Sequence, residues 1–202
     1  MSQLKIGITG NIGSGKTTVS HLFELLDIQV FNSDDQAKAV MTTDQELISG
    51  IKAAFGEQAY LPGGALDRKY IANIVFNDQA ALTRLNGLVH PAVFRAFDAW
   101  VGSNHAAPYV MKEAAILFES GSYKDCDHTI LVTAPTDVRL QRVAKRDGIS
   151  LDEAAARNAR QMPEKEKRQL ATFEVVNDNT QLVIPQVLKM HQHFLELAAA
   201  KA

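Results

Sequence analysis

The sequence is poor in cysteine and has no long apolar run. Only Cys126 is a cysteine among 202 residues, so no disulfide can form within the chain, which agrees with a reducing compartment. No apolar run approaches the roughly 18 residues that a membrane-spanning helix needs. The N-terminal residues also lack the basic, apolar and small-residue order of a secretory signal. We therefore expect a cytoplasmic protein that does not associate with a membrane.

A large excess of charge of either sign is absent as well. The net charge is −2 at pH 7, so the molecule as a whole has no signature of nucleic-acid binding. The charge is nevertheless uneven, because residues 139–168 contain nine lysines and arginines and only five acids. Such a segment is often a solvated helix face, but beside a phosphate-binding loop it favours a contact with phosphate.

Apolar periodicity divides the chain into alternating strands and helices. The predicted strands are residues 4–9, 28–31, 109–112, 129–133 and 174–176. The predicted helices include 16–26, 137–146, 161–169 and 184–200, and most of residues 36–106. Polar residues 32–35 are predicted to cap a helix that begins near Gln36. This alternation predicts an α/β fold with a parallel β-sheet flanked by helices, and a helical insertion in the middle of the chain.

The segment after the first predicted strand matches a P-loop. Gly10, Gly15, Lys16 and Thr17 follow the pattern G-x-x-x-x-G-K-T between a strand and a helix. The glycines let backbone N–H groups point at a β-phosphate, and the helix N-terminus adds partial positive charge. Lys16 is predicted to contact the β- and γ-phosphates, and the Thr17 hydroxyl to bind Mg²⁺. The loop residues predicted to bind ATP are Asn11, Ile12, Gly13, Ser14, Gly15, Lys16, Thr17 and Thr18.

Two further groups are candidates for catalysis beside Lys16. Asp34 follows the second predicted strand, where a carboxylate near Mg²⁺ can orient an acceptor hydroxyl and take its proton. The alternative is that Asp34 and Asp35 only cap a helix. Arg142 and Arg146 lie four positions apart on one helical face, and Arg142 is predicted to stabilise charge on the transferred phosphoryl group. The predicted catalytic residues are thus Lys16, Asp34 and Arg142.

Other functions share parts of this pattern. A small GTPase would need an Asn-Lys-x-Asp element, which the sequence lacks. An ATPase motor would usually have an apolar strand ending in a carboxylate for Mg²⁺, and Met111-Lys112-Glu113 is the nearest approach. Cys126 and His128 lack the further ligands that a metal site needs. A kinase that acts on another small alcohol, such as a nucleoside or nucleotide, is the alternative that stays open.

Over nearly its full length the chain resembles the dephospho-CoA kinases. Residues 8–18 resemble the opening of that family, and Asp34-Asp35-Gln36-Ala37-Lys38 resembles its segment with a catalytic aspartate and a following basic residue. Similar segments follow in order at Val75-Phe76-Asn77, Leu85-Asn86, Val89-His90-Pro91-Ala92, residues 116–121, residues 142–148 and Gln161-Met162-Pro163.

The resemblance implies transfer of the ATP γ-phosphate, with Mg²⁺, to the 3′-hydroxyl of the dephospho-CoA ribose, the final step of coenzyme A synthesis. It implies one kinase domain, residues 1–202, with a P-loop kinase core (1–33, 107–138 and 171–202), a helical CoA domain (34–106) and a helical lid (139–170). The implied partners are the small molecules ATP and dephospho-CoA. The residues expected to hold the acceptor are Asp34, Lys38, Arg68 and His90. Arg142 and Asn177 are expected to contact ATP, the latter near the adenine.

The chain departs from the family pattern at several positions. Asn32 replaces an aspartate, and Ala114-Ala115 replaces Val-Pro, but neither change touches Lys16 or Asp34. Thr172 replaces a carboxylate of the family, so the local contact of that carboxylate is not carried over to this chain. Asn11 replaces a common loop glycine, and we expect the tolerance of asparagine for left-handed backbone to accommodate it.

Overall fold

The structure is a computed structural model that describes residues 3–76, 78–104 and 107–201. Five strands and nine α-helices occur in these ranges. Their order is β1 (Leu4–Thr9), α1 (Lys16–Glu24), β2 (Val30–Asn32), α2 (Ser33–Thr43), α3 (Gln45–Phe55), α4 (Arg68–Val75), α5 (Gln79–Ser103), β3 (Tyr109–Glu113), β4 (His128–Thr133), α6 (Thr136–Asp147), α7 (Leu151–Asn158), α8 (Glu164–Leu170), β5 (Phe173–Val176) and α9 (Val183–Lys201).

The five strands form one parallel sheet in the order β2-β3-β1-β4-β5. The predicted α/β fold with a parallel sheet is confirmed. β1 lies at the centre, where Ile8 is opposite Glu113 on one side and Ile130 on the other. Since all strands run in one direction, their C-terminal ends meet at one edge, and that edge carries ligand sites in sheets of this kind.

Alternation along β1 places its apolar side chains on one face of the sheet. Ile6 and Ile8 are fully buried there in a cluster that includes Phe23 of α1 and Phe194 of α9. Burying each such side chain stabilises the fold by about 1.5–3 kcal/mol. This packing fixes α1 against the sheet, and with it the loop that joins β1 to α1.

The described residues form two compact units. One comprises residues up to Asn32 and from Ser103 onward and contains the whole sheet; the other is Ser33–Gly102 and is helical. Within the helical unit, the Asp44 carboxylate caps α3 by accepting a hydrogen bond from the Leu47 N–H at 2.8 Å, and Arg95 donates to it at 2.8 Å. No helix in the described ranges combines the length and apolar character needed to cross a bilayer.

Two helices begin three residues away from the starts that the sequence predicted. α2 begins at Ser33, directly after β2, so Asp34 and Asp35 lie in its first turn and not in a cap before Gln36. The helix dipole favours acidic residues both at the N-cap and in the first turn, so the presence of Asp34 and Asp35 does not show at which residue the helix begins. α8 begins at Glu164, because Pro163 has no N–H to continue a helix and stands at the N-cap. Gln161 and Met162 therefore lie in a loop.

Candidate active site

The P-loop runs from the end of β1 into α1. Gly13 and Gly15 have φ angles of 79° and 90°, in the left-handed region that favours glycine. Space is restricted as well, because a Cβ at Gly13 would meet the Arg139 carbonyl oxygen and one at Gly15 the Asn177 side-chain amide. Asn11 is not among the residues with positive φ, so our expectation of a left-handed backbone at Asn11 is wrong.

Two P-loop side chains converge on a carboxylate from the neighbouring strand. The Glu113 Oε1 atom lies 2.7 Å from Lys16 Nζ and accepts a hydrogen bond from the Thr17 hydroxyl at 2.9 Å. Glu113 is the last residue of β3, and its side chain is only 5% exposed. The sequence did not assign Glu113 to the site, although a carboxylate at the end of an apolar strand was the available signal.

Arg142 and Asn177 hold the inner side of the P-loop. The Arg142 guanidinium donates to the Gly13 carbonyl at 3.3 Å, the Asn177 carbonyl at 2.9 Å and Asn179 Oδ1 at 2.6 Å. The Asn177 side chain donates to the Ser14 carbonyl at 2.8 Å. α6 and the loop after β5 are thereby tied to the P-loop, and both predicted nucleotide contacts lie beside it.

Residues 161–162 contact the other end of the P-loop. Gln161 Oε1 accepts a hydrogen bond from the Ile12 N–H at 2.7 Å, and the Asn11 side chain donates to the Met162 carbonyl at 3.1 Å. In the sequence, Gln161 was singled out only as part of a segment with family-like spacing. Since these partners are separated by about 150 positions, no local pattern could have paired them.

Two buried cationic side chains support the P-loop and the loop at residues 161–162. Arg139 is 2% exposed and donates to the Ile12 carbonyl at 3.3 Å, and burial lowers the pKa of its guanidinium. Lys167 is fully buried and lies 2.9 Å from Glu119 Oε1, which also accepts a hydrogen bond from the Met162 N–H at 3.0 Å. Both cations were predicted only as members of a basic segment, whereas their buried ammonium and guanidinium groups position loops.

A cavity of about 420 Å³ opens over the P-loop. It is lined by Gly10 to Thr18 and by Ala115, Arg142, Val143, Arg146, Arg157 and Gln161. Arg146 and Arg157 both pair with Asp147 at 2.7 Å, and these two partners, Arg146 first, hold the pKa of the Asp147 carboxyl below its usual value. Lysine and arginine side chains, N–H groups and a helix N-terminus around one cavity make a site for a polyanion such as a triphosphate.

Comparison with known proteins shows the family to which the chain is similar. The family model for dephospho-CoA kinase matches residues 4–182. The chain belongs to the dephospho-CoA kinase family. A dephospho-CoA kinase of Dechloromonas aromatica is 34% identical over 203 residues, which cover 100% of this chain and 98% of the relative. One of Salinibacter ruber is 38% identical over 177 residues, 87% of this chain and 89% of the relative.

Solved structures share the fold of this chain. A Thermus thermophilus protein is 37% identical, with a TM-score of 0.82 over 96% of this chain and 98% of its own. A dephospho-CoA kinase from Campylobacter jejuni is 24% identical and shares the fold, with a TM-score of 0.70 over 98% of each chain. The predicted family, enzyme class and dephospho-CoA kinase activity are confirmed.

The four residues predicted to hold the acceptor all belong to the helical unit of the kinase. Asp34 is exposed in the first turn of α2, and Arg68 is exposed as the first residue of α4. Lys38 pairs with Asp35, with Nζ 2.7 Å from Oδ1. His90 is half-buried in α5 with its ring 6.4 Å from that of Phe94, and burial lowers its pKa, which favours the neutral imidazole at pH 7.

Proposed function

We propose that this kinase transfers the γ-phosphoryl group of ATP to the 3′-hydroxyl of the dephospho-CoA ribose, giving coenzyme A and ADP. The relatives named dephospho-CoA kinase support this acceptor. The observation that carries the donor side is the convergence of Lys16 and Thr17 on Glu113 next to a loop with two left-handed glycines. Together they define where a phosphate and its counter-ion would be held.

The P-loop and its two neighbours bind ATP in this proposal. P-loop N–H groups other than those of Ile12 and Ser14, which are bonded within the protein, take the phosphates together with the α1 N-terminus, and Lys16 contacts the β- and γ-phosphates. Arg142 was predicted to stabilise charge on the transferred group, but its hydrogen bonds to Asn177 and Asn179 hold its guanidinium on the Asn177 side of the loop, so in this proposal it contacts ATP there. Asn177 lies next to Gly15, at the end of the loop where α1 begins, and we assign the adenine to that side.

The residues present fit a Mg²⁺ ion. Mg²⁺ takes oxygen ligands, keeps several waters, and is usually completed by substrate phosphates. The Thr17 hydroxyl and the Glu113 carboxylate supply two oxygens within 2.9 Å of each other. Thr17 would bind the ion directly, and Glu113 directly or through water. When bound, Mg²⁺ supplies charge that offsets the charge on the phosphate oxygens.

Asp34 acts as the general base on the acceptor. Its carboxylate takes the proton of the 3′-hydroxyl as the ribose oxygen bonds to the γ-phosphorus and the bond from that phosphorus to the ADP oxygen breaks. Its place in the chain supports this role, because it follows Asn32 by two residues, and Asn32 is the register partner of Glu113 in the sheet. Lys38, Arg68 and His90 contribute contacts to the acceptor.

The same proposal assigns a separate function to each of three parts of the chain. Residues 34–106 hold the acceptor, residues 139–170 act as a lid, and the remainder binds the nucleotide. The lid assignment is supported by Arg142, Arg146, Arg157 and Gln161, which come from this segment and line the cavity over the P-loop.

A coupled assay of ADP release tests the acceptor. Dephospho-CoA, adenosine and a panel of nucleosides and nucleotides are compared at equal concentration with ATP and Mg²⁺, and the product is identified by mass. We expect dephospho-CoA to be turned over far faster than the other alcohols, with coenzyme A as product. If a nucleoside or nucleotide is phosphorylated as fast as dephospho-CoA or faster, the proposed acceptor is wrong and that alcohol is the substrate.

A further inference from the structure

The side chain of Gln161 is fixed at one end and available at the other. Its Oε1 atom accepts a hydrogen bond from the Ile12 N–H at 2.7 Å. In residues 3–76, 78–104 and 107–201, nothing accepts a hydrogen bond from its Nε2 atom. The orientation of the Gln161 amide follows from this bond, because the Ile12 N–H can donate only to the amide oxygen. In the flipped orientation the Gln161 NH₂ group would face the Ile12 N–H, and neither could accept a hydrogen bond. Gln161 therefore carries two N–H donors without a protein acceptor.

The backbone next to Gln161 is held as firmly as its side chain. Met162 donates its N–H to Glu119 at 3.0 Å and accepts a hydrogen bond from the Asn11 side chain at 3.1 Å. Glu119 is in turn paired at 2.9 Å with Lys167, which is fully buried. Removing Glu119 would leave the buried Lys167 ammonium without its carboxylate partner, which is strongly destabilising, so the pair holds this loop in place. The amide of Gln161 is thus preorganised relative to the P-loop.

Gln161 lies in the nucleotide cavity, at the end opposite the proposed adenine side. It lines the same cavity as Lys16 and Arg142. Asn177 marks one end of the P-loop by its contact with Ser14, whereas Gln161 contacts Ile12 at the other. A triphosphate that runs from the Asn177 side past Lys16 ends beside Ile12. The terminal phosphoryl group would then face the Gln161 amide.

We propose that Gln161 is a catalytic residue whose Nε2 group donates a hydrogen bond to the γ-phosphoryl group of ATP. The inference rests on the proposed function and deepens it by naming the neutral donor at the transferred group. A donor that is already oriented costs no reorganisation when charge shifts among the phosphoryl oxygens during transfer. The Ile12 N–H supplies that orientation through Oε1, so loop and donor move as one unit.

The decisive variant is Gln161→Glu. It keeps an oxygen that accepts from the Ile12 N–H, but it replaces the donor with a second, negatively charged oxygen. We expect kcat/KM for ATP to fall about 10²-fold, the usual loss when one preorganised donor to a reacting oxygen is removed. We also expect Gln161→Glu to lose affinity for a non-hydrolysable ATP analogue, measured by calorimetry. This loss should exceed any loss of ADP affinity by roughly tenfold or more, because ADP has no γ-phosphate.

Two further variants separate contact from anchoring. Gln161→Met removes both the anchor and the donor and should lose kcat/KM as well. Gln169→Glu makes the same charge change on the exposed side of α8 and should stay within about a factor of two of the wild type, as surface substitutions generally do. Retained ADP binding by Gln161→Glu shows that the P-loop is still folded.

The outcomes are distinguishable. Wild-type kcat/KM in Gln161→Glu together with a loss in Gln161→Met would make Gln161 an anchor only and overturn the proposal. Equal losses of affinity for ADP and for the ATP analogue would overturn it too. The nucleotide comparison uses no acceptor, so a wild type that binds ATP through Gln161 but does not phosphorylate dephospho-CoA would refute the proposed function alone.

Discussion

Lys16 and Glu113 are joined by an ion pair, with Lys16 Nζ 2.7 Å from Glu113 Oε1, and the Thr17 hydroxyl shares the same carboxylate oxygen at 2.9 Å. The group proposed to contact phosphate and the group proposed to bind Mg²⁺ are therefore oriented by one residue of β3. In the proposed complex a triphosphate would compete with Glu113 for the Lys16 ammonium, so nucleotide binding would exchange one partner of Lys16 for another.

Replacing Lys16 by alanine should nearly abolish turnover. The P-loop loses its ammonium group, and Glu113, whose side chain is 5% exposed, loses its cation. We expect kcat/KM to fall by at least about 10²-fold, because a fixed electrostatic contact to the reacting phosphate is removed. Steady-state assays with dephospho-CoA and calorimetry with ATP measure the effect. Lys189→Ala, on the exposed side of α9, is the matched control, and similar activity of the two variants would remove Lys16 from the site.

Replacing Glu113 by glutamine should weaken the response to Mg²⁺. The variant keeps an oxygen for the Thr17 hydroxyl but loses the charge that faces Lys16 and the proposed ion. Loss of a group that orients metal ligands typically costs about 10- to 100-fold in metal affinity or activity. A Mg²⁺ titration of turnover at saturating ATP gives the shift in half-saturation. Glu57→Gln, in the helical unit, serves as control, and an unchanged Mg²⁺ titration curve would contradict the role of Glu113.

Replacing Asp34 by asparagine should lower kcat and spare ATP binding. The variant keeps the shape of the side chain but cannot take the proton of the acceptor hydroxyl. Loss of a general base costs about 10²–10⁴ in rate. Nucleotide affinity should stay near the wild-type value, because the P-loop and Lys16 supply the phosphate contacts. Asp35→Asn, one residue along the same helical turn, is the comparison. Turnover of Asp34→Asn within a few-fold of the wild type would leave Asp34 as an acidic residue of the first turn only.

Replacing Asp44 by alanine should lower stability in a pH-dependent way. The hydrogen bond from the Leu47 N–H, and then Arg95, hold the pKa of the Asp44 carboxyl below its ordinary value of 3.8. A lowered folded-state pKa means that the contribution is complete above 3.8 and is lost as the pH falls through the lower folded value. We expect a loss of about 1–2 kcal/mol in the free energy of unfolding at pH 7 from the missing cap.

Denaturant unfolding at a series of pH values checks the Asp44 prediction. The gap between wild type and variant should narrow as the pH falls below 3.8. Asp67→Ala removes the matching cap of α4, where the Tyr70 N–H is the donor, and so gives the cost of a cap by itself. A gap that stays constant down to acidic pH would show that the Asp44 charge contributes nothing.

The parts of the site that were predictable are those that neighbouring residues encode. The P-loop depends on the spacing of Gly10, Gly15 and Lys16 and on the strand and helix at its ends, all within a short stretch of chain. The parallel sheet follows from the alternation of strands and helices. Asp34 became a candidate because it stands just after β2, and its role stays a prediction. The start of α2 at Ser33 was missed, since an acidic residue suits the cap and the first turn alike.

The parts that were missed depend on which distant segments meet. Glu113 reaches Lys16 because β3 lies beside β1, and the strand order is not written in the periodicity of either strand. Gln161 reaches Ile12 because an ion pair between Glu119 and the buried Lys167 holds its loop in place. Lys167 looked like a surface charge, since a basic residue in a charged segment is usually exposed. Only the folded structure shows that its ammonium group is buried.

The central position of β1 in the sheet has a consequence for folding during synthesis on the ribosome. β1 is synthesised before both of its neighbours, because Leu4 pairs with Tyr109 of β3 and Ile6 with His128 of β4. Both edges of β1 therefore stay unpaired while the whole helical unit is synthesised. During that time Ile6 and Ile8, which end fully buried, have no sheet to join. Non-local parallel pairing is intrinsically slow, and unpaired strand edges promote aggregation. A nascent chain that ends before residue 109 therefore keeps the central strand of the sheet unpaired, and we expect protection by chaperones to matter most in that interval.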